Sequence, residues 1–365
     1  MHRREHLDTT IHHGATTTMA DQRPFRLGFF AYLEGEKPQA EVYADTLRLF
    51  QTADELGFDS VWVAQHHFGH HGGLPSPFVF FAALAERTRR IGFGTAVITL
   101  PLEDPIRVAE DAAVLEALHP GRLQLGLGTG LASPEVFETF GKAGRHKRDL
   151  YEEALPRLLA ALDGQPLNEA GDILNPPGEA LRARLWESPA ALDRVAETAA
   201  RGDGLLLSRI AIGAGLTPTH EVQLPMVETY TAGLPAGVAP RVGLSRTVYP
   251  SRTPDTALAD ITRGLEISVE RARANGHGSP MDGLTMPELF TLNNVHAGTP
   301  DEVAASLAQE PLLRRGAITD LICQVQPGFP SLASTLDALE LIATEVAPAL
   351  GWRPSETRVR AAIGR

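Results

Sequence analysis

Apolar residues along this chain fall into a repeating order: a short continuous run, then a longer stretch with apolar positions three and four apart. Residues 26–31 (Arg-Leu-Gly-Phe-Phe-Ala) are the first run. Residues 40–56 are the first helical stretch, with Val42, Leu47, Phe50, Ala53 and Leu56 at helical spacing and Gly57 as the stop. The order repeats through strands at 59–63, 91–98, 122–127, 184–186, 204–207, 242–248 and 318–325, and helices at 77–90, 105–118, 148–162, 190–201 and 332–347. Pro156 predicts a bend in the 148–162 helix.

Apolar strands each followed by a helix or a long connection predict a parallel sheet with right-handed crossovers. Eight such units predict closure into a single (β/α)8 TIM barrel over about residues 25–350, with an open doubly wound sheet as the rival. Two segments break the rhythm. Residues 163–183 are rich in Gly, Pro and Asn, and residues 250–300 form an insertion after strand 7 that is too long for a plain βα unit. Long βα loops lie on the catalytic face of a barrel, so the second segment is expected to act as a lid or pocket wall.

Composition narrows the function classes. Residues 1–24 are polar and aperiodic, the expectation being a disordered arm without the apolar core of a secretory signal; residues 351–365 read as a tail. No apolar run is long enough to span a bilayer. The single cysteine, Cys323, leaves no disulfide within the chain and fits a cytoplasmic protein. A formal net charge of -12 disfavours nucleic acid as the main partner.

In a barrel, chemistry gathers where strands end. After the second strand comes Gln65-His66-His67-Phe68-Gly69-His70-His71, four histidines in six positions, able to act as acid or base near neutral pH. Packing and solvated loop histidines are the plain alternative; a metal site, as in a hydrolase, is a third, though no carboxylate lies nearby in sequence. Small residues at Gly94, Thr95 and Ala96 would admit a flat ring close to the backbone, or simply fit a narrow barrel interior. Gly126, Gly128 and Gly130 would do the same, without continuing into a dinucleotide or P-loop motif. Ser188 and Pro189 read as N-cap and first residue of a helix, a ready phosphate site. Arg209 and Arg246 could reach a phosphate or an acidic substrate, or sit in internal ion pairs; 145–148 (Arg-His-Lys-Arg) could pair with phosphate too, but as a charge run it reads as a solvated face.

Taken in order, Gly57-Phe58-Asp59, the Gln65–Phe68 block, residues 91–97, residues 105–111 (Pro-Ile-Arg-Val-Ala-Glu-Asp), residues 118–123, residues 126–130, Glu187-Ser188 and residues 298–302 (Gly-Thr-Pro-Asp-Glu) resemble the bacterial luciferase-like monooxygenases. The resemblance implies a (β/α)8 barrel that takes reduced FMN (FMNH2) from a separate flavin reductase, adds O2, and oxidises a small carbonyl-containing substrate through a C4a-peroxyflavin. It implies His66 as the catalytic histidine. Ala96 and Val97 would be the pair packing on the flavin ring, often through a cis peptide, and Glu187 and Ser188 the holders of the FMN phosphate. Gly128 and Thr129 occupy flavin-pocket positions where luciferases proper carry cysteine and arginine, so the phosphate is expected to use Arg209. Gln65 stands where luciferases proper have an acidic residue, which argues against light emission. Family members are commonly dimers, making a homodimer the expectation. The alternatives are hydride transfer with the deazaflavin F420 on the same fold, and a non-catalytic flavin-binding partner subunit, against which the retained His66 speaks. The phenylalanines Phe78, Phe80 and Phe81 could shield the pocket or merely pack.

Overall fold

A computed structural model describes residues 23–34, 37–68, 73–211, 216–274, 283–326 and 328–355. Ten strands follow in chain order: β1 (Arg26–Ala31), β2 (Ser60–Val63), β3 (Gly92–Thr95), β4 (Ile98–Thr99), β5 (Leu123–Gly128), β6 (Leu185–Glu187), β7 (Gly204–Leu207), β8 (Val242–Pro250), β9 (Val295–Gly298) and β10 (Asp320–Gln324). The helices that concern the site are α1 (Gln39–Leu56), α2 (Pro77–Ala85), α3 (Pro105–Leu118), α4 (Pro134–Thr139), α5 (Lys147–Leu162), α6 (Leu192–Ala200), α7 (Thr219–Gly233), α8 (Pro254–Ala274), α9 (Met286–Asn293), α10 (Pro300–Ala308), α11 (Pro311–Arg314) and α12 (Leu332–Leu341).

The sheet runs β10-β1-β2-β3-β5-β6-β7-β8, every pairing parallel, and β10 pairs with β8 to close it. The eight strands expected from the sequence therefore form a closed (β/α)8 barrel rather than an open sheet. Two short strands were not anticipated. β4 is the broken end of the third strand and pairs with Leu127 and Gly128 of β5. β9 lies beside the final residues of β8, Thr247 to Pro250, within the insertion.

Strand alternation sorts the side chains into two layers. Leu27, Phe29, Val61, Val63, Phe93, Leu123, Leu125 and Leu127 face the helices in the main core. Phe30, Trp62, Trp186, Leu206 and Ile322 fill the barrel interior. The two indoles meet edge to face at 5.9 Å, and each rests over a glycine of the next strand, Trp62 over Gly94 and Trp186 over Gly204. A Cβ at either glycine would overlap the indole, so Gly94 serves interior packing.

Three expected boundaries shift for identifiable reasons. α2 ends at Ala85 instead of Arg90: the chain turns at Glu86 and Arg87, and the Asp54 carboxylate of α1 accepts from the N–H groups of Arg89 and Ile91 (both 2.9 Å), which holds that segment out of the helix. The expected start of α6 at Ser188 and Pro189 is also wrong. Ser188 N–H still bonds Leu127 O of β5 (3.0 Å), so the chain remains extended there and α6 begins at Leu192 behind Ala191. Trp352, assigned to the tail, is fully buried, and its indole donates to Asp59 (3.0 Å). Asp59 also accepts from Leu27 N (2.9 Å) and pairs with Arg23 (2.9 Å), so this one carboxylate ties both ends of the barrel chain to β1. α5 runs through Pro156 as one helix. Phe80 and Phe81 are buried in the core, Phe81 against Phe93 at 5.1 Å, and Phe78 packs partly buried on the same core. Among the described residues, no helix is long and apolar enough to cross a membrane.

Candidate active site

A cavity of about 340 Å³ opens at the C-terminal end of the barrel strands, at the small end of the usual range for ligand pockets. His66 and Tyr32 line it on one side, Arg209, Ile210 and Thr247 on another, and Gln324, Gln326 and Phe329 beyond β10 on a third. α8 closes it with Ile261, Gly264, Leu265 and Ile267. The insertion after strand 7 therefore supplies an apolar wall, as its place in the topology predicts.

His66 is half-buried; its backbone N–H donates to Leu74 O (3.0 Å), and its ring lies 6.2 Å from that of Tyr32. The preceding Gln65 fixes this position. Its backbone N–H reaches Val97 O (3.3 Å), its Oε1 accepts from Thr99 N (2.7 Å), and its Nε2 donates to Pro75 O (3.0 Å) and to Glu103 Oε1 (2.5 Å). The amide thus clamps the end of β2 to β4 and to the 73–77 segment. A carboxylate there would face both Glu103 and the Pro75 carbonyl, so the glutamine belongs to this chain's own hydrogen-bond pattern. His67 turns away. Its ring meets Phe140 edge-on at 4.7 Å, and burial pushes its imidazole below the ordinary histidine range. It is a packing residue. His70 and His71 lie outside the described residues.

Beside His66, the Ala96–Val97 peptide bond is cis, and both residues lie half-buried on the interior cluster of Phe30, Trp62 and Trp186. Three alternate glycines, Gly126 and Gly128 of β5 and Gly130 just beyond it, answer this ledge. Gly126 lies against the Thr95 carbonyl, Gly128 against the Val97 side chain (2.8 Å from a hypothetical Cβ), and Gly130, at φ 66°, against Thr99 (2.5 Å). Their bareness is used first by the chain itself, to bring β3 and β4 against β5. Thr129 is half-buried between them.

Glu187 does not face this ledge. Trp186 points into the barrel, so Glu187 points out, where it is buried and bonded to Tyr151 Oη (2.7 Å), Thr198 Oγ1 (3.2 Å) and Arg201. Burial raises the Tyr151 phenol well above its ordinary value, and the neighbouring Glu187 adds to this. The Glu187 carboxylate is an anchor between strand and helices, directed away from the barrel mouth. Ser188 is half-buried at the end of β6, and its backbone N–H is already committed to Leu127. Arg246 resolves as an internal ion pair with Glu310 (3.1 Å).

Lys147, in the run taken as a solvated face, is half-buried and donates to Gly130 O (3.2 Å), just beyond Thr129. Its neighbours do behave as a surface: Arg145 pairs with Glu153, and Arg148 with Glu152 and Asp193. Its position at the start of α5, next to the loop after β5, sets it apart from the rest of the run. Among the described residues, no group of three or more His, Cys, Asp or Glu side chains is placed to hold a metal ion.

The chain is similar over short stretches to curated relatives. It is 37% identical over 114 residues to the alkanal monooxygenase alpha chain of Photorhabdus laumondii subsp. laumondii, covering 31% of this chain and 32% of the relative. It is 29% identical over 147 residues to the oxygenase component of the flavin-dependent trigonelline monooxygenase of Acinetobacter baylyi, covering 40% and 37%. The chain thus spans well under half the length of the curated relatives it matches. Its fold is shared over 89% of its length with the monooxygenase RslO1 of Streptomyces bottropensis (TM-score 0.73, 21% identity, 100% of that chain). It is shared to the same extent with the oxygenating constituent of 3,6-diketocamphane monooxygenase of Pseudomonas putida in complex with FMN (TM-score 0.70, 19% identity, 98% of that chain). A coenzyme F420-dependent tetrahydromethanopterin reductase of Methanopyrus kandleri also has this fold (TM-score 0.65, 16% identity, 89% and 99% covered). The family model described as luciferase-like monooxygenase matches residues 25–315, and the chain belongs to that family.

Proposed function

We propose that this chain is the oxygenase of a two-component flavin system, accepting FMNH2 from a separate reductase and using O2 to oxidise a small carbonyl-containing substrate. The observation that carries the reading is the juxtaposition of His66 and the half-buried Ala96–Val97 ledge at the mouth of an apolar cavity. The residues present fit a flavin. Ala96 and Val97 offer a flat apolar platform over Trp62 and Trp186, Gly128 and Thr129 border it, and the Ser188 hydroxyl with Lys147 would receive the phosphate. Bound there in its reduced form, FMN would supply the electrons that activate O2.

The protein's own residues do the remainder. His66 moves a proton at the reacting centre, Gln65 holds it beside the ledge, and the walls from α8 and β10 keep water out. Hydride transfer with F420 is the second reading, favoured by the fold shared with the F420-dependent reductase. Anaerobic titration separates the two. The expectation is saturable binding of FMNH2 but not of reduced F420, and one atom of labelled O2 in the product of a carbonyl-substrate screen in air. Binding of neither cofactor would sink both readings.

A homodimer is part of the proposal. α2 and α3 pack together and leave Val79, Val114 and Leu118 exposed. Light scattering is expected to give twice the 39.3 kDa chain mass, and Val114→Asp with Leu118→Asp to give the monomer. A monomeric wild type would refute it.

A further inference from the structure

The cavity holds a cation that no described group neutralises. Arg209 is half-buried, with Nη1 donating to Thr247 Oγ1 (3.0 Å) and the guanidinium carbon 5.8 Å from the centre of the Tyr32 ring. Its Nε is shut off from water without an acceptor. By contrast, Arg246 and Arg201 each have a carboxylate. Glu34, on the same wall, has a partner of its own. A second polar atom in the cavity, Gln326 Oε1, is likewise buried and unmatched. A guanidinium at a cavity wall without a carboxylate beside it is a donor site for an anionic ligand oxygen.

We propose that Arg209 is a substrate-selecting residue, which receives an anionic oxygen group, a carboxylate or enolate, on a small substrate whose apolar body lies against α8. This rests on the flavin reading above and replaces the expectation that Arg209 holds the FMN phosphate. The cavity wall runs from the end of β7 through β8 and β10 to β1 and β2, and reaches the loop after β5 at Leu131. Ala96, Val97, Thr129 and Ser188 stand at the ends of β3, β5 and β6, on the other half of the barrel mouth, and none of them lines the cavity. His66, just beyond the end of β2, is where the two halves meet. A flavin on the ledge therefore leaves the cavity to the substrate, and Arg209 belongs to the cavity. Polar side chains, Glu34, His66, Thr247, Gln324 and Gln326, share the wall, but Ile261, Leu265 and Ile267 of α8 with Val295 and Phe329 make one apolar side of it, which fits a hydrocarbon body with one charged end.

Calorimetric titration of the full chain with octanoate, 1-octanol and, anaerobically, FMNH2 tests this. Wild type is expected to bind octanoate at least about tenfold more tightly than 1-octanol, as charge-assisted hydrogen bonds to a guanidinium require. Arg209→Gln is expected to abolish that preference while leaving 1-octanol and FMNH2 affinity unchanged, and Arg209→Lys to retain part of it. Equal affinity of wild type for octanoate and 1-octanol would overturn the proposal. So would a loss of FMNH2 affinity in Arg209→Gln with octanoate binding intact, which would return Arg209 to the phosphate. Octanoate preference in a wild type that binds no FMNH2 would uphold the anion site and overturn the flavin reading instead.

Discussion

Replacing His66 by alanine is expected to lower kcat/KM by roughly 10²–10⁴-fold, the usual worth of a positioned acid–base group, while leaving FMNH2 affinity and the thermal midpoint nearly unchanged. The split follows from geometry. The imidazole lines the cavity beside Tyr32, but the platform proposed for the flavin is made of Ala96 and Val97, which rest on Phe30, Trp62 and Trp186 and not on His66. The clamp holding the end of β2 belongs to the Gln65 amide and to backbone groups, and the substitution keeps both. A half-buried ring at a cavity wall can be removed without opening a void in the packed core. Oxygen uptake measured against product formed and hydrogen peroxide released is the informative assay. The variant is expected to consume O2 and release hydrogen peroxide in place of product. A parallel loss of FMNH2 affinity would make His66 a cofactor-holding residue, and unaltered turnover would remove it from the chemistry. The neighbouring His67→Ala should show neither change, because its ring is spent on Phe140.

The contrast between these two histidines shows how far the sequence could be read. The barrel was legible because eight apolar runs alternating with helices admit few topologies. The strand end carrying His66 was legible because loops at the C-terminal ends of barrel strands carry chemistry. Direction was harder to read. Glu187 and Ser188 are adjacent in the sequence, yet strand alternation sends the Glu187 carboxylate outward to Tyr151 and Arg201. The interior Trp186 beside it carried that information. The glycines at 126, 128 and 130 suggest room for a ligand, and only the three-dimensional register shows Thr95, Val97 and Thr99 occupying that room. β9 escaped because its four residues, Val-His-Ala-Gly, have no apolar alternation to announce a strand; it forms because the long end of β8 offers a free edge. Arg209 was legible as a charge after the strand at 204–207, but which half of the mouth it serves depends on Tyr32 and Thr247, which are remote in sequence.

Glu310→Gln is expected to destabilise the fold by about 3–5 kcal/mol, the usual cost of removing one partner from a buried ion pair. Arg246 is fully buried on β8. Its Nε and Nη2 donate to the Glu310 carboxylate (3.1 and 3.3 Å), Nη2 also to Gln223 of α7 (3.0 Å), and Nη1 to Ser245 O (2.8 Å). His296 of β9 places Nε2 3.6 Å from the same carboxylate and bonds Ser306 of α10 through Nδ1 (2.8 Å). This cluster holds α7, α10 and β9 to the outside of β8, directly behind Thr247 of the cavity. The amide would leave a guanidinium without a counter-charge, so adding Arg246→Met to Glu310→Gln should recover part of the loss. Acid should act in the same way. Burial alone would raise the Glu310 carboxyl, but Arg246 and His296 more than reverse this and hold it at about 2, against 4.5 unperturbed. A depressed carboxylate stabilises the fold above its unfolded value, and that contribution disappears as pH falls from about 4.5 through about 2. His296 acts earlier. Burial lowers its imidazole below 6.5, so on acidification the unfolded chain takes up a proton that the folded chain refuses, and stability begins to fall below pH 6.5. Urea midpoints measured from pH 7 to pH 3 should therefore decline in wild type, and His296→Gln should flatten the upper part of that decline, between about pH 6.5 and 4.5. An Arg246–Glu310 pair worth nothing would show as a Glu310→Gln midpoint equal to wild type at pH 7.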